Sequence, residues 1–180
     1  MPAAPAQSPR PPLVAVIGGA TADDSALGHA EEAGRAIATR RWHLLCGGGG
    51  GVMEAACRGF AAARTYPGIV SLGLLPGDDE AWANTHLDIA LPTGLGLARN
   101  AVIARAARGL IAVGGCAGTL SEMALAWQMG KPVVAVRPSG GWAATLAGRC
   151  VDGRGAGPIL DAASGFEAVE LLAGRLSSGA

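Results

Sequence analysis

A chain of 180 residues, half of them apolar, is long enough to fill one hydrophobic core and short for two. Its 14 basic and 14 acidic residues cancel and intersperse, which leaves no electrostatic footprint for nucleic acid or an acidic membrane. Aromatic residues, at 4%, are too few to stack single-stranded bases, and no apolar run approaches the roughly 20 residues that span a bilayer.

Residues 1–12 are rich in proline and have no apolar stretch of the kind a secretory signal needs, so a disordered or loosely held tail is expected there, with one domain over 13–180. Cys46, Cys57, Cys116 and Cys150 form neither a C-x-x-C nor a zinc pattern, and a reduced, cytoplasmic setting is the expectation.

Leu13–Ile17 is a continuous apolar run ending at Gly18-Gly19, the form of a central parallel strand covered on both faces. Thr21 to Ser25 supplies helix-cap residues, and the spacing of Leu27, Ala30, Ala33, Ile37 and Ala38 predicts a helix reaching about Arg41. Trp42–Cys46 is the second strand; Gly47 to Gly51 follow, then a small-residue helix from Val52 to about Arg64. His43, at a strand start, reads as structural. Ile69–Leu75 is the third strand, stopped by Pro76-Gly77. Asp78, Asp79, Glu80 and His86 sit in a polar loop, read as solvated rather than metal-binding because no ligand spacing fixes them. Leu87–Leu91 is a short fourth strand, and residues 93–100 lead into a helix reaching Arg108.

The fifth strand, Gly109–Val113, delivers the chain to Gly114-Gly115-Cys116-Ala117-Gly118-Thr119-Leu120-Ser121-Glu122 and a further helix. Glycines let the backbone turn with positive φ and let a ligand approach main-chain N–H groups, while a helix start offers unpaired donors and partial positive charge. The same residues also read as a capping box, with Thr119 and Glu122 satisfying each other's backbone donors. Cys116 is either a small residue filling the turn or a thiol activated by the helix start. Gly130 and Lys131-Pro132 stop that helix, Pro132–Val136 is the sixth strand, a short helix falls around Trp142 to Ala147, and a last helix spans about Ser164 to Leu176.

Alternating strands and helices with continuous apolar strands predict an α/β, Rossmann-like domain: a parallel sheet of about six or seven strands with helices on both faces. Ligands of such sheets bind outside the carboxyl ends of the strands, where the glycine turns and Arg99 all map. Arg99 is either a bidentate anion clamp or a surface ion pair. A dinucleotide-dependent oxidoreductase is set aside, since Ile17-Gly18-Gly19-Ala20 lacks the G-x-G-x-x-G spacing.

Gly114 to Glu122, preceded by Gly94-Leu95-Gly96-Leu97-Ala98-Arg99-Asn100 and by the glycine run into Val52-Met53, resembles the LOG superfamily of lysine-decarboxylase-like proteins, and most of all its molybdenum-cofactor carrier branch. The resemblance covers nearly the whole chain after the proline tail. It implies a Rossmann-like fold and a homodimer or homotetramer. The enzymatic branch, phosphoribohydrolases of nucleoside 5′-monophosphates, carries an Arg-Lys pair and P-G-G-x-G-T-x-x-E; this chain keeps Arg99, Gly118, Thr119 and Glu122 but has Asn100 for the lysine, and Gly114 and Cys116 for proline and glycine. Losing the lysine removes a cation from the implied phosphate pocket.

The ligand-binding set that follows is Gly18, Gly19, Gly48, Gly49, Gly50, Met53, Arg99, Asn100, Gly114, Gly115, Cys116, Gly118, Thr119 and Glu122. Two functions are expected of it. One is binding of a phosphate-bearing, nucleotide-like small molecule, molybdenum cofactor or a nucleoside monophosphate, with no catalytic cofactor required. The other is N-glycosidase chemistry, with Arg99 orienting substrate and Glu122 stabilising an oxocarbenium-like state.

Overall fold

The computed structural model describes residues 10–154 and 157–178; the expected tail falls mostly on residues 1–9, outside them. The apolar runs form strands β1 (Leu13–Gly18), β2 (His43–Cys46), β3 (Ser71–Leu75), β4 (Ile89–Pro92), β5 (Gly109–Val113) and β6 (Val133–Val136). A further short strand, β7 (Leu160–Ala162), extends the sheet beyond β6. The helices are α1 (Asp24–Thr39), α2 (Val52–Ala63), α3 (Arg99–Ala106), α4 (Ala117–Gln128), α5 (Gly141–Leu146) and α6 (Gly165–Ser178).

All neighbouring strands are parallel, in the order β4-β3-β2-β1-β5-β6-β7. The Rossmann-like α/β architecture expected from the alternation is therefore present. The chain builds outward from β1 through β2, β3 and β4, then returns to lay β5, β6 and β7 on the other side, so the order reverses between β1 and β5. At that reversal the flanking connections leave in opposite directions and open a crevice at the carboxyl rim.

Two apolar layers hold the sheet. Val14, Val16, Leu44, Cys46, Ile111 and Val113 face α1, α2 and α6, whereas Ala15, Ile17, Leu45, Leu110 and Ala112 face α3, α4 and α5. β1 and β5 are buried on both faces, which is why they are unbroken apolar runs. Asp23 starts α1 by accepting a 2.8 Å hydrogen bond from the Ala26 amide, and Arg41, at φ 58°, turns the chain out of it. α1 and α2 pack through small residues: a Cβ on Gly34 would lie 2.0 Å from the Ala56 carbonyl oxygen, and one on Gly59 would lie 2.1 Å from that of Glu31.

Several polar residues that do not line a cavity at the rim have structural roles. His43 Nδ1 accepts from the Val70 amide at 3.1 Å. Asp79 accepts from the Ala81 amide at 2.8 Å, within the loop that also holds Asp78, Glu80 and His86. Asp88 gathers the Ser71 amide, the Ser71 hydroxyl and Arg64, fixing the start of β3 against the approach to β4. Cys46 and Cys57 are buried with their sulfurs 3.7 Å apart, and Cys116 and Cys150 are exposed. Among the described residues no helix is long and apolar enough to cross a membrane.

Candidate functional site

A cavity of about 220 Å³ opens at the carboxyl rim, at the reversal of strand order. Its walls come from four connections. Ile17, Gly18, Gly19 and Ala20 leave β1, Gly47 leaves β2 and Met53 opens α2; Leu97, Arg99 and Asn100 bring the chain into α3; Cys116, Gly118, Thr119 and Glu122 form the first turns of α4.

Arg99 is the first residue of α3, reached through a 3-10 turn at Gly96–Ala98 rather than lying a full turn inside the helix. Its guanidinium is held on three sides. Nη1 donates to Asn100 Oδ1 at 3.0 Å and to Glu122 Oε1 at 3.4 Å. Behind it lies Gly47, where a Cβ would stand 2.7 Å from Nη2, 2.8 Å from Nη1 and 2.8 Å from the Met53 sulfur. A side chain at position 47 would push the arginine or the methionine out of that place.

Asn100 is buried and binds α3 to α4: Nδ2 donates to Ser121 Oγ at 2.8 Å and to the Gly118 carbonyl at 3.4 Å. The position where the enzymatic branch has a lysine here holds a neutral brace, which orients Arg99 without adding charge. The long contact from Arg99 is too weak to keep the Glu122 carboxyl ionised against its surroundings. Its side chain is only 6% exposed, and burial, opposed by the Arg99 charge, pushes its pKa from 4.5 up to about 7. Near neutral pH the cavity thus holds one fixed cation and one carboxyl poised between its two forms.

The predicted capping box does not form. Helix α4 begins at Ala117, so Thr119 lies inside its first turn and Glu122 turns to Arg99. Cys116 takes the cap position with an extended backbone and no side-chain hydrogen bond to the helix, which leaves the first-turn amides of α4 without a side-chain cap. The turn is made earlier than sequence indicated because Gly114 and Gly115, at φ 58° and 90°, reverse the chain immediately after β5.

Of the expected set, Gly18, Gly19, Met53, Arg99, Asn100, Cys116, Gly118, Thr119 and Glu122 line this one cavity. Gly48, Gly49, Gly50, Gly114 and Gly115 do not, although all lie at the same rim. Asn84 pins the glycine loop from the β3 side by donating to the Gly48 and Gly49 carbonyls, each at 3.1 Å, while Gly50 packs near the Ala20 carbonyl. Gly114 and Gly115 accept from the amides of Ala143 and Trp142, so they dock the start of α5. Ile17, Ala20 and Leu97 line the cavity too without having been expected to, and Gly47 is the one member of the turn Gly47 to Gly51 that reaches it. For Leu97 a signal existed, a large apolar residue amid glycines; it is 85% exposed at the cavity mouth.

Comparison with known proteins gives a consistent picture. An uncharacterized protein of Archaeoglobus fulgidus is 38% identical over 125 residues, covering 69% of this chain and 80% of that protein. The molybdenum cofactor binding protein of Rippkaea orientalis superposes with a TM-score of 0.78 at 33% identity, over 94% of this chain and 99% of its own. The molybdenum cofactor carrier protein of Chlamydomonas reinhardtii gives 0.73 at 32% identity, over 92% and 99%. The matching family profile covers residues 11–153, from the start of β1 past α5, and the chain belongs to the SLOG cluster4 family.

Proposed function

We propose that the chain binds a phosphate-bearing, nucleotide-like small molecule at this cavity and carries it without turnover, molybdenum cofactor being the leading candidate and a nucleoside monophosphate the next. The supporting observation is the Arg99 guanidinium, fixed at the reversal of strand order beside the uncapped amides of α4 and paired with a carboxyl that is half protonated near pH 7. Proteins of this fold from Rippkaea and Chlamydomonas are described as binding or carrying molybdenum cofactor, which favours that ligand. The phosphate takes Arg99 and the amides at Gly118 and Thr119; the rest of the ligand extends past Met53 and Leu97 to the mouth.

Calorimetric titration with molybdenum cofactor or AMP tests this. Arg99→Ala should raise Kd about 10- to 100-fold, the loss of a charge-assisted contact. Unchanged affinity would remove Arg99 from the binding role.

A cavity of 220 Å³ is small for a whole nucleotide, and its outer wall is the bare Leu97. Leu95 and Val102, on either side of it in sequence, and Ile89 and Leu91, on the edge strand β4, are exposed as well. A second copy covering this apolar face gives the homodimer or homotetramer that the family resemblance implies. Light scattering after size exclusion should show an oligomer that Ile89→Asp converts to monomer at micromolar concentration. A wild-type protein already monomeric there contradicts the assembly.

The alternative activity is hydrolysis of a nucleoside 5′-monophosphate to free base and ribose 5-phosphate. The specific observation in its favour is that Glu122, buried beside Arg99 with a pKa near 7, has the character of a catalytic acid or base at neutral pH. Free base released from AMP or a cytokinin monophosphate by wild type, and not by Glu122→Gln, would establish it; no release leaves the carrier.

A further inference from the structure

The opposite rim of the sheet, where β5 and β6 begin, carries a second cavity of about 400 Å³. It lies between the end of α3, the turn Gly130–Pro132 and the last turns of α6. Four cations line it, Arg105, Arg108, Lys131 and Arg175, and no acidic residue does. Among the described residues none of the four is in an ion pair, whereas Arg35, Arg40, Arg58, Arg64, Arg99, Arg137 and Arg154 each meet a carboxylate. Elsewhere, then, the fold mostly pairs its arginines. Here it gathers them unpaired.

The ordinary account of such charges is that they neutralise helix carboxyl ends. α3, α4 and α6 do end here, each with about half a negative charge, so together they offset less than half of the four cations. Lys131 alone is used for that purpose: its ammonium donates to the Arg105 and Ala107 carbonyls at the end of α3. Among the described residues the side chains of Arg105, Arg108 and Arg175 donate to no other group. Burial, followed by the charges of Arg105 and Arg108, pushes the Lys131 ammonium below the usual lysine range, a sign that the cluster repels itself. Like charges on a concave surface focus a positive potential into it. An adjoining recess of about 250 Å³ shares Gly130, Lys131, Pro132 and Arg175 with the cavity and adds the apolar walls of Trp127, Pro158 and Ile159.

We propose that this rim is a second binding site, separate from the cavity at Arg99, for a small molecule carrying two adjacent phosphates, with the phosphates on Arg105, Arg108 and Arg175 and the organic part in the recess against Trp127. The guanidinium forks supply the bidentate contacts that a diphosphate takes, and Lys131 adds positive charge to the same wall.

The test is calorimetric titration of the full chain with inorganic pyrophosphate at fixed ionic strength, in an Arg99→Ala background so that the carboxyl-rim cavity does not contribute. One saturable equivalent is expected, and adding Arg105→Gln and Arg175→Gln should raise its Kd at least tenfold. Both added changes are at exposed positions, and circular dichroism melting confirms that the fold is kept. No saturable binding, or the same Kd after the two changes, overturns the proposal. If Arg99→Ala does not fold, wild type and the Arg105→Gln/Arg175→Gln protein are compared directly: loss of one equivalent supports the site, and an unchanged number refutes it.

Discussion

Gly59→Ala is expected to destabilise the protein by about 3 kcal/mol and to lower its melting temperature by roughly 6–12 °C. Helix propensity alone predicts the reverse, since alanine is favoured over glycine within a helix by about 1 kcal/mol. Contact decides the sign. The new Cβ would stand 2.1 Å from the Glu31 carbonyl oxygen and 2.9 Å from its carbon, and these are backbone atoms of α1 that have no rotamer to move into. Gly34 meets α2 in the same way from the other side, so the two helices cannot slide to make room and must separate. Separation opens voids along Ala30, Ala33, Ala55 and Ala56, all fully buried. The control is Gly28→Ala in α1, where a Cβ meets nothing within 4 Å; that variant should gain about 0.5–1 kcal/mol. Thermal melting of both decides the matter. A Gly59→Ala protein melting at or above wild type would show that the interface has slack.

Glu122→Gln should abolish a pH dependence of stability worth about 3 kcal/mol. The unfolded chain releases the Glu122 proton near 4.5, but in the folded protein burial holds it up to about 7. Between those values the folded state keeps a proton that the unfolded state has lost, so stability falls as pH rises through the window and levels off above it. Glutamine has the shape of the protonated acid and never ionises. The variant should match wild type near pH 4 and exceed it by about 3 kcal/mol at pH 8, with Arg99 still held by Asn100. Denaturant unfolding at several pH values, compared as the difference between the two proteins, isolates this group from Glu31 and Asp88, whose lowered pKa values act at lower pH and with the opposite sign. Parallel curves would mean that the Glu122 carboxylate is better solvated than its burial indicates.

Much of the fold was legible because a doubly covered parallel strand has to be an unbroken apolar run, and β1, β5 and β6 are such runs. β7 left no comparable trace, since a three-residue edge strand with Asp161 exposed at its centre has neither a run nor a period. The rim was legible as glycine turns followed by helix starts. Which glycines face the cavity was not: within Gly47 to Gly51 every residue is the same, and the choice falls to Asn84, Leu75 and Arg99, which come from distant parts of the chain. The capping-box reading of Thr119 and Glu122 failed for a related reason. Local pattern offered Glu122 a backbone partner, and the tertiary structure supplied Arg99 instead.

The seat of Arg99 against Gly47 bears on the energetics of any ligand that reaches it. A guanidinium seated against a glycine backbone and held by an asparagine and a buried carboxyl surrenders its rotational freedom while the chain folds, long before a ligand arrives. An incoming anion therefore finds the fork already set, and its affinity is not diminished by the cost of ordering a long side chain.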